Sequence, residues 1–94
     1  MQAGYRAERP LGYQQITSLA TSTAIATIPE GAALALIIAE GQAIRWRDDK
    51  TAPTATVGQP LDVGVELSYS AQSFAALRFI EQVAGATVNI TFYG

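Results

Sequence analysis

Cysteine and histidine are both absent from the 94 residues. Without cysteine there is no disulfide framework, no thiolate metal site and no sulfur nucleophile. Losing histidine as well removes the commonest zinc ligand and the commonest general base. Charge is scarce: Asp, Glu, Lys and Arg make up 15% of the chain, against ~25% in an average soluble domain. No long hydrophobic run exists either, since Ala32 to Ala39 is the longest and a bilayer-spanning helix needs about 20 residues. The first ten residues lack the apolar stretch of a secretory signal. These absences lead to the expectation of a soluble, non-enzymatic chain that uses no metal or cofactor, inserts in no membrane and is made in the cytoplasm.

What charge there is leans acidic. Six basic and eight acidic residues give a net charge of −2, and nucleic-acid binding needs a clustered positive footprint to displace counterions from phosphate. A nucleic-acid partner is therefore not expected. Hydrophobic residues make up 49% of the chain, and Thr, Ala, Ser and Gln fill the place of charge. Depletion of charge is the mark of interface cores, so the composition favours a subunit of an assembly. A single domain of this length buries roughly 60–65% of its unfolded surface, and a partner would add to that.

Along the chain, residues 1–12 mix Gly, Pro, Gln, Arg and Glu without periodicity. They read as an N-terminal arm preceding a single β-domain over residues 13–94. The arm is either a tail or a segment that orders on a neighbouring subunit; in the second case Tyr5, Leu11 and Tyr13 are the docking residues. Thr-rich sequence suggests short strands near 13–17 and 22–26. Ile28-Pro29-Glu30-Gly31 is a turn. The apolar run Ala32 to Glu40 has strand length between two glycines, and Glu40-Gly41-Gln42 connects it to Ala43–Asp48, which predicts a hairpin. Ala55–Val57 has the makings of a brief pairing segment. Leu61 to Tyr69 alternates, with Leu61, Val63, Val65, Leu67 and Tyr69 on one face and a kink or bulge at Gly64. A strand near 75–80, with a helical face as the competing pattern, and a closing strand Ala86–Tyr93 complete the list. The fold class expected is all-β: a small antiparallel β-sandwich or jelly-roll-like barrel with an extended N-terminal arm.

Candidate chemistry concentrates in residues 42–58, which hold the sole Trp, paired Arg and the adjacent acidic pair. Alternation along a strand places Ile44 and Trp46 on one face and Arg45 and Arg47 on the other. Trp46 in phase with Ile44 reads as a core anchor rather than a sugar-stacking platform. Arg45 and Arg47 have the fork geometry to grip carboxylates of a neighbouring subunit, or else pair within the chain with Asp48, Asp49 or Glu66. Asp48 and Asp49 lack the alternating spacing of a calcium loop, and adjacent carboxylates do not make a glycosidase pair.

The pieces Ile44-Arg45-Trp46-Arg47-Asp48-Asp49, Thr51-Ala52-Pro53-Thr54, Val57-Gly58, Ala76-Leu77-Arg78-Phe79-Ile80 and Ala86-Thr87-Val88-Asn89-Ile90-Thr91-Phe92-Tyr93 resemble the small virion structural proteins of tailed bacteriophages. The resemblance covers about residues 40–94, and Lys50 stands where a glycine is expected after the acidic pair. It implies a head decoration or cement protein on the capsid surface of the virion, synthesised in the host cytoplasm, with the major capsid protein as partner. It further implies a homo-oligomer, with a trimer favoured, that bridges neighbouring capsid subunits. Tyr5, Leu11, Tyr13, Arg45, Arg47, Asp48 and Asp49 are the candidate subunit or capsid contacts. A tail, connector or head-spike component is the alternative, as is a carbohydrate- or receptor-binding module, which would use Tyr69 or Tyr93 as its exposed aromatic.

Overall fold

A computed structural model describes residues 9–70 and 74–94. Among these residues there are eight strands: β1 (Pro10–Ile16), β2 (Thr23–Ala24), β3 (Leu34–Glu40), β4 (Ile44–Arg47), β5 (Gln59–Leu61), β6 (Glu66–Tyr69), β7 (Arg78–Glu81) and β8 (Thr87–Tyr93). One turn of 3₁₀ helix, Phe74–Ala76, precedes β7. Two four-stranded sheets result, ordered β1-β8-β3-β6 and β2-β7-β4-β5. Every strand pairing within them is antiparallel.

The pairings have a simple rule. β1 pairs with β8, β2 with β7, β3 with β6 and β4 with β5, as if one long hairpin of strands 1–4 against 5–8 had been wrapped round a barrel. The wrap is then closed by β3 against β8 and β4 against β7. This is the connectivity of an eight-stranded jelly roll, one of the double-sheet solutions open to antiparallel chains. The expected all-β class is therefore present, in its jelly-roll form.

Alternation explains which side chains meet between the sheets. Along β3, Ala35, Ile37 and Ala39 are buried while Leu34, Leu36 and Ile38 are half-buried on the outside. Along β8, Val88, Ile90 and Phe92 point inward and Thr87, Asn89, Thr91 and Tyr93 outward. The second sheet answers with Ile44, Leu61 and Phe79, and the loops add Leu19, Ile25, Phe74, Leu77 and Ala86.

Several expectations change. The hairpin expected between residues 32–40 and 43–48 does not form: β3 lies in the first sheet and β4 in the second. Both edges of β3 are already taken by β8 and β6, and both edges of β4 by β7 and β5. The Glu40–Ala43 link is thus a crossing between layers. Gly41 makes it possible, with φ of 85° and a position where a Cβ would lie 2.6 Å from the Gly85 carbonyl oxygen. The single strand expected over 61–69 is two, because the chain changes sheet at Gly64. That residue has φ of 80° and donates its N–H to the Ala39 carbonyl at 2.9 Å. Val63 and Val65, expected on the buried face, are about half exposed, at 50% and 51%.

The other boundaries shift by smaller amounts. The strand expected near 75–80 begins at Arg78, because Phe74 and Leu77 first pack inward through the 3₁₀ turn, closed by Leu77 N–H to the Phe74 carbonyl at 3.1 Å. Of the strand expected over 22–26, only Thr23–Ala24 pairs; the Thr23 hydroxyl donates to the Thr21 carbonyl at 2.8 Å, tying the backbone into a turn. Ala55–Val57 forms no strand and instead closes a turn in which Thr54 and Val57 exchange backbone hydrogen bonds of 2.9 and 3.3 Å. The boundary expected after residue 12 falls inside β1. Pro10 pairs with Tyr93, Arg9 and Gly94 exchange two 2.9 Å hydrogen bonds, and Leu11 packs on the core. Of the arm, residues 1–8 lie outside the described residues.

Candidate contact sites

The 42–58 stretch becomes β4, the loop 48–58 and the start of β5. Arg45 emerges from β4 and turns back over the loop, donating Nε to the Ala55 carbonyl (3.1 Å) and a terminal nitrogen to the Gly58 carbonyl (2.9 Å). Its guanidinium thus fastens the far limb of the loop to the strand. Arg47, two residues on, forms a two-pronged pair with Asp49, at 2.9 Å from Nε and 2.6 Å from the terminal nitrogen. Arg47 thus makes one of the pairings within the chain considered above, whereas Arg45 bonds two backbone carbonyls in place of Asp48, Asp49 or Glu66. The hydrogen bond raises the Arg47 pKa and draws the Asp49 carboxyl below its ordinary value.

Asp49 also accepts from the Thr51 N–H at 3.4 Å. Between them Lys50 is held at φ 71°, the one non-glycine residue at positive φ among the described residues. A left-handed conformation is unfavourable for a residue with a Cβ, and this is the position where a glycine was expected. The conformation is therefore that of the expected turn, with a lysine in it. Beyond, Pro53 is buried, and the Thr54 hydroxyl oxygen accepts from the Val57 N–H at 3.0 Å. The loop is consequently built from its own hydrogen bonds.

Asp48 faces the other way, taking a 2.6 Å hydrogen bond from the Tyr69 hydroxyl. Tyr69 is only 8% exposed. Burial, with the Asp48 carboxylate adding to it, pushes the phenol up to about 12. An edge-to-face series of rings runs inward from here: Trp46 to Tyr69 at 5.9 Å, Tyr69 to Phe74 at 5.7 Å and Phe74 to Phe92 at 5.6 Å. Trp46 is half-buried against the core, so it anchors the strand as expected while leaving part of its ring at the surface. Tyr69, considered above as an exposed sugar platform, is buried and unsuited to that use.

Two open depressions flank the loop. One of about 310 Å³ is lined by Arg47, Asp48, Asp49, Gly58 and Gln59. The other, of about 410 Å³, is lined by Lys50, Thr51, Ala52, Ala75, Ala76 and Arg78. Among the described residues no group of three His, Cys, Asp or Glu side chains is placed to hold a metal ion, and no helix is long and apolar enough to cross a membrane.

Tyr13 and Leu11 lie on the other sheet, so the candidate contacts do not gather into one site; Tyr5 is outside the described residues. Tyr13 is 59% exposed on the outer face of β1, and its hydroxyl donates to Asn89. Gln15 donates to the same Asn89 oxygen (3.1 Å), and Asn89 in turn donates to Glu40 (3.1 Å). This ladder across β1, β8 and β3 was not foreseen as a unit, although the polar phase of residues 87–93 carried its central member.

The outer face of the first sheet is continuous with that ladder. Register aligns Tyr13, Thr91, Leu36 and Ser68 in one row, and Gln15, Asn89, Ile38 and Glu66 in the next. Tyr93 and Leu34 pair beyond them. No lysine or arginine occurs on these four strands, and their carboxylates, Glu40 and Glu66, stand toward one end. The result is a broad face of threonine, tyrosine and aliphatic side chains with little charge to keep it hydrated. No family model matches the chain, and neither a curated protein nor a solved structure matches it.

Proposed function

We propose that this chain is a non-enzymatic structural protein of a tailed-phage virion, a head decoration protein that binds the capsid exterior as a homo-oligomer and bridges neighbouring major capsid subunits. The resemblance of residues 40–94 to phage structural proteins supplies the virion setting. The observation that carries a binding role is the outer face of the first sheet, where Leu34, Leu36 and Ile38 stand half-buried among Tyr13, Thr91 and Tyr93 without any basic residue. A charge-poor face with aromatic residues suits a protein partner. Jelly rolls serve viral capsids and lectins alike, so the fold is compatible with the reading without selecting it.

The mechanism is linkage. A protein that binds only the assembled, expanded lattice stabilises it by mass action, and symmetry-related copies multiply the effect. The test is co-sedimentation of the purified protein with expanded, undecorated heads, beside tails and immobilised glycans. Saturable binding to heads is expected, weakened by Leu36→Glu; binding to tails or glycans in place of heads would overturn the reading.

A further inference from the structure

A two-sheet sandwich leaves four strand edges whose backbone groups lack a neighbour, and such edges pair with other chains unless they are guarded. Here the edges are β1 and β6 on one sheet and β2 and β5 on the other. Three of them carry a guard. β2 has two residues; β5 has three, with Pro60 in the middle; β6 has four and bears Glu66. β1 is different, with seven residues and no charged side chain. Pro10 and the irregularity before Gly12 blunt its beginning, but Gly12 to Ile16 is a regular run in continuous register with β8.

We infer that the β1 edge pairs with the β1 edge of a second copy of this chain, antiparallel about a two-fold axis at Gln14, joining the first sheets of both copies into one. The occupant follows from three features. An unpaired edge selects an extended backbone. A strand that pairs antiparallel with its own copy satisfies both edges at once and closes the assembly. The regular run Gly12–Ile16 is centred on Gln14, so full overlap places Gln14 opposite Gln14, Tyr13 opposite Gln15 and Gly12 opposite Ile16. This register respects the pleat, keeping Tyr13 and Gln15 together on the outer face. Charge matching favours the copy too, since every opposed pair is neutral, whereas a charged partner strand would set its charge against Tyr or Gln.

The side chains beneath the edge are already held in place. Gln14 donates its amide to the Thr27 carbonyl, and Pro29 lies 3.5 Å from the position of a Cβ on Gly12. The segment 27–29 therefore closes the inner side of β1, and among the described residues no second strand pairs with its edge. The contact closes at two copies, which departs from the trimer that the resemblance implies, and it does not depend on the virion reading.

Because the chain has no cysteine, a single introduced thiol reports the geometry. Residues directly opposed in an antiparallel pair have Cα atoms about 4.5–5.5 Å apart, within the disulfide range of about 4.4–6.8 Å. The full chain is expected to sediment as a monomer–dimer equilibrium, and oxidised Gln14→Cys is expected to become a covalent dimer. Val83→Cys, exposed on the loop between β7 and β8 and off the β1 edge, serves as the control and is expected not to cross-link. Replacing both exposed residues, Tyr13→Glu with Gln15→Glu, sets carboxylates opposite each other and is expected to weaken dimerisation roughly tenfold or more with an unchanged circular dichroism spectrum. A monomer at all concentrations to about 1 mM, a trimer, equal cross-linking of the two cysteine variants, or a dimer indifferent to the paired glutamates would each overturn the proposal. Head binding by a protein that stays monomeric would overturn it, together with the homo-oligomer of the virion reading, while leaving capsid binding itself intact.

Discussion

Among the described residues, Lys50 is the one whose side chain and backbone conformation conflict. Its φ of 71° suits glycine, and Lys50→Gly is expected to raise the unfolding free energy by up to about 1 kcal/mol, the left-handed strain relieved less the entropy glycine adds to the unfolded chain. Thermal unfolding of the two proteins measures it. The Tyr69–Asp48 hydrogen bond makes a second residue-level prediction. Tyr69 is raised from 10 to about 12, so between those pH values the unfolded chain has lost the proton that the folded chain keeps. By linkage, stability is complete below about pH 10 and falls as pH rises toward about 12. Urea unfolding across this range is expected to show the decline in the native protein and a flatter profile in Tyr69→Phe, which is less stable by about 1 kcal/mol at neutral pH. Asp49 moves the other way. Its depressed carboxyl stabilises the loop at neutral pH, and that contribution fades in acid as the carboxylate takes up a proton.

Among the elements, those with long clean alternation were legible in the sequence. β8 buries Val88, Ile90 and Phe92 as its phase required, and β3 is a strand as its length between two glycines implied. Alternation reports a face but not a partner, which is why the β3–β4 hairpin was misread. Nothing local distinguishes a two-residue hairpin turn from a crossing between layers. The same holds at Gly64, where a sheet change has the sequence signature of a bulge. At the candidate site, Arg47–Asp49 was legible as one of the pairings open to neighbours in sequence. The Tyr69–Asp48 bond was not, because it joins residues 21 apart that only the closed sandwich brings together. The crossing gives its own test. Gly41→Ala places a Cβ against the Gly85 carbonyl and forces a left-handed alanine, and a loss of about 2 kcal/mol or more is expected in chemical denaturation.

The whole molecule is a jelly roll closed by its own strand pairings, with a sequence short of charge. The aromatic series from Trp46 to Phe92 and the hydrogen-bonded 48–58 loop tie the β4 end of the sandwich together, while among the described residues the outer face of the first sheet is covered by no other element and the β1 edge by no second strand. The central claim is that such a subunit stabilises a capsid lattice. Heating expanded, undecorated phage heads with increasing amounts of the protein, and recording the temperature at which DNA is released, tests it most directly. The release temperature is predicted to rise with protein concentration, steeply up to occupancy of the lattice and slowly beyond it, as mass action on an assembled form requires. An unchanged release temperature at saturating protein would contradict the account.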